Sequence, residues 1–198
     1  MKSGATIGNR NTGETLTMLK GEDETGGMVQ CYRVHLPPHR QSPPLHYHLA
    51  FTERFTCLHG TLDVYLGRER RHVQLHSGQS VTAEIGQPHT FANTFSQPCD
   101  MTVETRPAGG VVKAFQLAYG LANDGRSAPD GLPLNPLLRL RFIAISQGFV
   151  PQVPRFLQKA IFRAAFFLSR LTGTERIVER CLHGSPAAGM QGSLTTDC

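Results

Sequence analysis

The sequence predicts a mostly-β fold, an antiparallel sandwich or barrel, extended at its C-terminal end by α-helices. Three observations carry that prediction. Short segments rich in strand formers recur about every eight to twelve residues as far as about position 108, the spacing of antiparallel strands joined by tight turns. The chain holds 20 Gly and 13 Pro without low-complexity repeats, and these are the residues that make such turns. Beyond position 110 the apolar residues change to the spacing of a helix. With 198 residues, 39% of them hydrophobic, the chain is long enough for one domain of ordinary size plus an appendage.

The elements follow in order. "ETLTML" (14–19) alternates, and "GEDETGG" (21–27) turns the chain. "MVQCYRVHL" (28–36) is a strand by composition. "PPHRQSPP" (37–44) is expected to be a loop, because its prolines cannot donate to a ladder. "ERFTCLHG" and "TLDVYLG" are strands broken at Gly60, and "RERRH" is a charged hairpin tip. "VQLHSGQSVTAEIGQPHTFANTF" continues in short strands with turns at Gly78 and at Gly86-Gln87-Pro88. "DMTVETRP" (100–107) is one strand more.

In "VVKAFQLAYGLAND" (111–124), Val111, Val112, Phe115, Ala118 and Leu121 have helical spacing. "SAPDGLPLNP" is a linker, and "LLRLRFIAISQGF" is a short helix. "PRFLQKAIFRAAFFLSRLTG" is the clearest helix, with Pro154 where helices start and Gly173 where they stop. The expected division is a barrel at 1–108, a helical extension at 109–183 and a disordered tail at 184–198.

Charge and cysteine usage bound the partners and the compartment. Residues 139–180 carry eight basic and two acidic side chains, so the net charge of +5 belongs to the C-terminal third. No nucleic-acid-binding module is apparent, nor a basic stripe interleaved with aromatics, so nucleic acid is excluded as an expected partner. The start "MKSGATIGNRNTGETLTML" lacks the apolar core of a signal peptide, and the expected location is the cytoplasm. Five widely spaced cysteines without a C-x-x-C pair suit reduced thiols. Lys159 and Arg163 in the middle of the clearest helix argue against a membrane span. That helix is expected to pack on the barrel or on a partner subunit. The alternatives are a lid over the barrel mouth or contact of residues 154–171 with a membrane surface.

The chemistry sits in "LHYHLAFTERFTCLHG" (45–60). Alternation along a strand puts His46 and His48 on one face, with Tyr47 turned the other way. A turn follows, and an inward Glu53 carries Phe55 and Cys57 inward after it. Two imidazoles and a carboxylate from neighbouring strands make three ligands of a metal site. About forty residues later His89 opens a strand after the Gly-Gln-Pro turn, and Asn93 follows on it.

These residues resemble the cupins. The first cupin motif, HxH-x(4)-E-x(6)-G, reads here His46, His48, Glu53 and Gly60 with every spacer intact. The second, G-x(5)-P-x-G-x(2)-H-x(3)-N, reads Gly78, Gly86, His89 and Asn93. Arg40 stands where the first motif has a leading Gly, and Glu84 where the second has Pro. The match covers roughly residues 28–107, and the region after 130 resembles the helical extension of small bacterial cupins.

The resemblance implies a jelly-roll barrel with His46, His48, Glu53 and His89 holding one divalent metal inside it. Three neutral nitrogens and a carboxylate suit Fe, Mn, Ni, Cu or Zn, with Fe favoured, and not Ca or Mg. It also implies a homodimer and a small organic substrate. The expected activity is that of a quercetin-dioxygenase-like oxidoreductase, with Glu53 a ligand or a general base. The alternatives are an isomerase, cyclase or lyase needing no dioxygen, and a metabolite-binding cupin without catalysis. Phe55, Phe91 and Val64 are expected to line the barrel, Cys57 to be a packed thiol and Asn93 a structural hydrogen-bonder. His35, His39, His59, His72, His76 and His183 are not expected among the ligands.

Overall fold

The structure is a computed structural model that describes residues 1–41 and 43–183. The expected tail at 184–198 lies outside the described residues. Twelve strands pair antiparallel throughout. They are β1 (Thr6–Gly8), β2 (Thr15–Lys20), β3 (Gln30–Leu36), β4 (Arg40–Gln41), β5 (Tyr47–His48), β6 (Thr52–His59), β7 (Thr61–Leu66), β8 (Arg71–His76), β9 (Ser80–Ala83), β10 (His89–Asn93), β11 (Cys99–Arg106) and β12 (Gly148–Phe149). One sheet runs β1-β2-β3-β11-β6-β9, a second β4-β10-β7-β8, and β12 pairs with β5 alone.

The two large sheets share one apolar core, the arrangement of a jelly roll. Tyr32, Phe55 and Met101 of the first sheet meet Leu62, Val64 and Phe91 of the second. Alternation produces this: on β6 the buried residues are Glu53, Phe55 and Cys57, and their neighbours point outward or sit half-buried. Gly60 makes the tight β6–β7 connection with φ of 81°, and a Cβ there would stand 2.5 Å from the Pro98 carbonyl oxygen.

Four helices follow among the described residues: α1 (Val111–Asn123), α2 (Pro136–Ser146), α3 (Arg155–Leu171) and α4 (Glu175–His183). Helix α1 inserts Val111, Val112, Ala118 and Tyr119 into the same core as the sheets. Its start lies against the end of α2, where a Cβ on Gly110 would overlap the Ile145 carbonyl. Asn135 caps α2 by accepting from the backbone N–H of Leu137 at 2.8 Å. Leu117, Leu121, Leu138 and Val178 form a second apolar cluster among α1, α2 and α4. Arg141 clamps Glu175 through two hydrogen bonds of 2.7 and 3.1 Å, tying α2 to α4.

The structure departs from expectation at two strands. The Pro-rich stretch 37–44 contains a strand after all: β4 is two residues long, set between the proline pairs, where Arg40 and Gln41 keep their own N–H groups and pair with Asn93 and Ala92. Strand β1 was not expected, because three residues are too few to show a period. Among the described residues, Cys57, Cys99 and Cys181 are free.

Candidate metal centre

His46, His48, Glu53 and His89 come together, with one ligand atom from each lying within 4.8 Å of the others. Backbone pairing puts them there. His46 and His89 exchange both backbone hydrogen bonds, at 3.1 and 2.7 Å, so residues 43 positions apart lie side by side. Gly86, in the turn before His89, donates its N–H to the His48 carbonyl at 2.7 Å. Glu53 sits at the start of β6, paired with Ala83 on one side and Thr105 on the other. The imidazole rings are 4.5 Å (His46 to His89), 5.0 Å (His46 to His48) and 5.5 Å (His48 to His89) apart.

Each imidazole is oriented by its far nitrogen. The Nδ1–H groups donate to backbone carbonyls: His46 to Pro44 at 2.9 Å, His48 to Gln147 at 3.1 Å, and His89 to Gln87 at 3.0 Å. A carbonyl can only accept, so all three rings carry their proton on Nδ1 and leave the Nε2 lone pair for a Lewis acid or a proton. This is the outer hydrogen bonding that fixes metal-binding histidines. The Nε2 of His48 is buried without a hydrogen-bond partner among the described atoms, 3.4 Å from Glu53 Oε2. His89 Nε2 lies 2.7 Å from the same oxygen. Three converging nitrogens, one of them orphaned, beside a shared carboxylate oxygen are the donor set a borderline divalent ion takes.

The electrostatics agree. Burial, then repulsion from His89 and His48, pushes His46 down to about 3, so this imidazole is neutral. Burial works to raise Glu53, but the nearby His48 imidazole and the contact with His89 overcome it and hold the carboxyl well below its ordinary value. Burial works to lower His89, and the hydrogen bond to Glu53 reverses this, leaving it raised. The carboxylate is therefore ionised, and His89 is its raised partner.

The surroundings come from both halves of the chain. Phe51 stacks on His48 at 4.3 Å, and Phe55 lies 5.8 Å from His89. A cavity of about 110 Å³ opens on His46 and His48, walled by α1 (Val111, Ala114, Phe115) and α2 (Phe142, Ile143), with Val150. No Lys, Arg, Asp or Glu lines it. Pro43, Pro44, Phe115 and Phe142 also border a second cavity of about 270 Å³, which contains Arg40 and Glu14. Arg40 does not reach the His cluster. It is ion-paired to Glu14 at 3.0 Å.

The other predicted residues take structural places. Asn93 donates to the carbonyls of Leu36, Pro37 and Gln97 and accepts from the Phe95 N–H, which makes it a hydrogen-bonder of the fold. Cys57 is fully buried, and burial raises its thiol. Tyr47 turns away from the cluster and stacks on Phe149 at 5.7 Å. Among the described residues no other histidine joins a metal-binding group: His35 pairs with Asp100 and His72 with Asp63. Sequence reasoning missed Gln147. Its carbonyl, 99 residues from His48, orients that ring from the residue that ends α2, held at a φ of 56°. A backbone atom at a helix end leaves no signal in residue identity.

No curated protein matches the chain. Among solved structures, a Thermus thermophilus protein is 23% identical with a TM-score of 0.38, the match covering 41% of this chain and 75% of that one. A sugar phosphate isomerase of the cupin superfamily from Silicibacter pomeroyi is 21% identical, TM-score 0.41, over 50% of this chain and 64% of that one. A predicted oxalate decarboxylase from Thermotoga maritima is 17% identical, TM-score 0.46, over 53% and 92%. Residues 32–104 match the family described as "Cupin domain". That segment holds both motifs and all four residues of the cluster, so this part of the chain is similar to the cupin domain.

Proposed function

We propose that the protein is a divalent-metal-dependent cupin enzyme that acts on a small, largely apolar organic molecule, with dioxygenase-like oxidoreductase chemistry as the leading reading. The observation that supports it most is the position of the cluster: three imidazoles and an ionised carboxylate converge, and two of them, His46 and His48, line a cavity with no Lys, Arg, Asp or Glu in its wall. His46, His48, Glu53 and His89 would hold the ion. A bound transition metal supplies Lewis acidity and, for Fe, Mn, Ni or Cu, redox chemistry with dioxygen.

The chain's own residues do the rest. The carbonyls of Pro44, Gln147 and Gln87 hold a proton on each Nδ1 and keep the rings aimed. Glu53, held ionised by two histidines, suits a ligand better than a general base, because a strongly depressed carboxyl is a weak proton acceptor. Val111, Ala114, Phe115, Phe142 and Ile143 exclude water and favour an apolar body. The wall offers no cation for a phosphate, which weighs against a phosphorylated sugar as substrate.

A homodimer, independence from nucleic acid and a cytoplasmic location belong to the same proposal. Oxygen uptake by the metal-loaded protein across flavonols, diketones and other small oxygen-bearing apolar compounds tests it. Uptake abolished in His48→Ala is the expected result. Turnover that proceeds unchanged under strict anaerobiosis would move the protein to the isomerase or lyase reading. A substrate-induced melting shift without product would make it a binding module.

A further inference from the structure

Helix α3 is amphipathic, but it is turned inside out. An ordinary surface helix buries its apolar stripe and shows its polar one. Here the buried residues of α3 are Gln158, Ala165 and Ser169. Gln158 is fixed by hydrogen bonds to the backbone of Val150 and Val153, and Ser169 donates to the Phe166 carbonyl. Aromatic contact adds to this seat: Phe162 meets Phe149 at 5.8 Å, and Phe166 lies under Arg141 at 5.0 Å.

The large apolar side chains of the opposite face stand in water. Phe156 is 77% exposed, Phe167 62% and Leu171 83%, with Leu157 and Leu168 beside them. Phe156, Ala160, Ala164, Phe167 and Leu171 recur at spacings of three and four, so they form one continuous stripe along the helix. A second stripe flanks it. Arg155, Lys159, Arg163 and Arg170 share the neighbouring face, and α3 contains no acidic residue. The basic residues of the C-terminal third thus do form a stripe beside aromatics, contrary to the sequence reading. No helix among the described residues is long and apolar enough to cross a membrane.

We propose that α3 docks the protein in the plane of an anionic lipid surface, with Phe156, Phe167, Leu168 and Leu171 entering the acyl boundary and Arg155, Lys159, Arg163 and Arg170 contacting headgroups. An apolar stripe beside a cationic one, free of acids, is the pattern that fits such an interface. Charge complementarity argues against the competing occupants. A second copy seated face to face would bring two sets of cations together with no acid on either helix. A nucleic acid would engage the cations and leave Phe167 and Leu171 in water.

The test is flotation of the full chain with vesicles of phosphatidylcholine alone and of phosphatidylcholine with about 30% phosphatidylglycerol. The protein is expected to float with the anionic vesicles and not the neutral ones, and to be released by about 0.5 M salt. F167E/L171E and K159E/R163E each replace exposed side chains, so each is expected to melt as the wild type does and to lose flotation at least about tenfold. Absence of flotation by the wild type on anionic vesicles overturns the proposal, as does undiminished flotation of both variants. A wild type that does not float, yet is dimeric by light scattering and monomeric as F167E/L171E, assigns the face to a second copy instead.

Discussion

His46, His48, Glu53 and His89 have most of their chemistry set by partners that are not ligands. Three backbone carbonyls put the protons on Nδ1, and one carboxylate oxygen sits against two Nε2 atoms. This gives the metal-free and metal-loaded proteins opposite responses to pH. Without metal, His89 is raised above its ordinary 6.5 by Glu53, so its ion pair stabilises the fold below that value and is lost as pH rises through the raised one. With metal, the proton on His89 competes with the ion, so stabilisation grows as pH rises. Melting curves of both forms from pH 5 to 9 are expected to show these opposite slopes. Asn93 makes a separate prediction. Asn93→Ala leaves the Phe95 N–H and three carbonyls without their partner, and is expected to cost about 2–3 kcal/mol in denaturant unfolding while metal content per folded chain stays unchanged.

Among the elements, β12 and α2 have a part that the barrel motifs do not announce. Strand β12 pairs Gly148 with His48 and Phe149 with Tyr47, so a segment beyond the two large sheets seats one residue of the cluster. The latch that holds this segment is the Arg141–Glu175 pair between α2 and α4. Burial works to raise Glu175, but Arg141 and Ser169 overcome it and lower it, so its stabilisation is present above the ordinary 4.5 and lost as pH falls. Glu175→Gln is expected to cost about 1–3 kcal/mol and to flatten the acid limb of the stability profile. Both cupin motifs were legible in the sequence because ligand identity and spacer length are written in residue order. The strand alternation that turns Phe55 and Cys57 inward was legible for the same reason. Strand β4 and the Gln147 carbonyl were not, since a two-residue pairing and a backbone acceptor depend on tertiary placement. Helix α4 lies past the Gly173 stop, where the sequence shows a short, strongly charged segment with one buried apolar residue, Val178.

In the whole molecule, residues of the sandwich and of the helices line one cavity together. Backbone pairing brings the four residues of the cluster together, and α1 and α2 supply an apolar wall beside His46 and His48. A metal bound only by the folded chain stabilises it by mass action, by about 2.7 kcal/mol at a free concentration a hundred times the dissociation constant. Chelation is therefore expected to lower the melting temperature of the wild type and leave that of His46→Ala where it was.

The central claim is that the cluster holds a metal ion, and elemental mass spectrometry of the untagged protein, beside His46→Ala and His89→Ala, tests it most directly. The account predicts about one transition-metal ion per chain in the wild type, lost in both variants while their folds persist. A wild type that carries no transition metal even after reconstitution, or variants that keep a full complement, would contradict it.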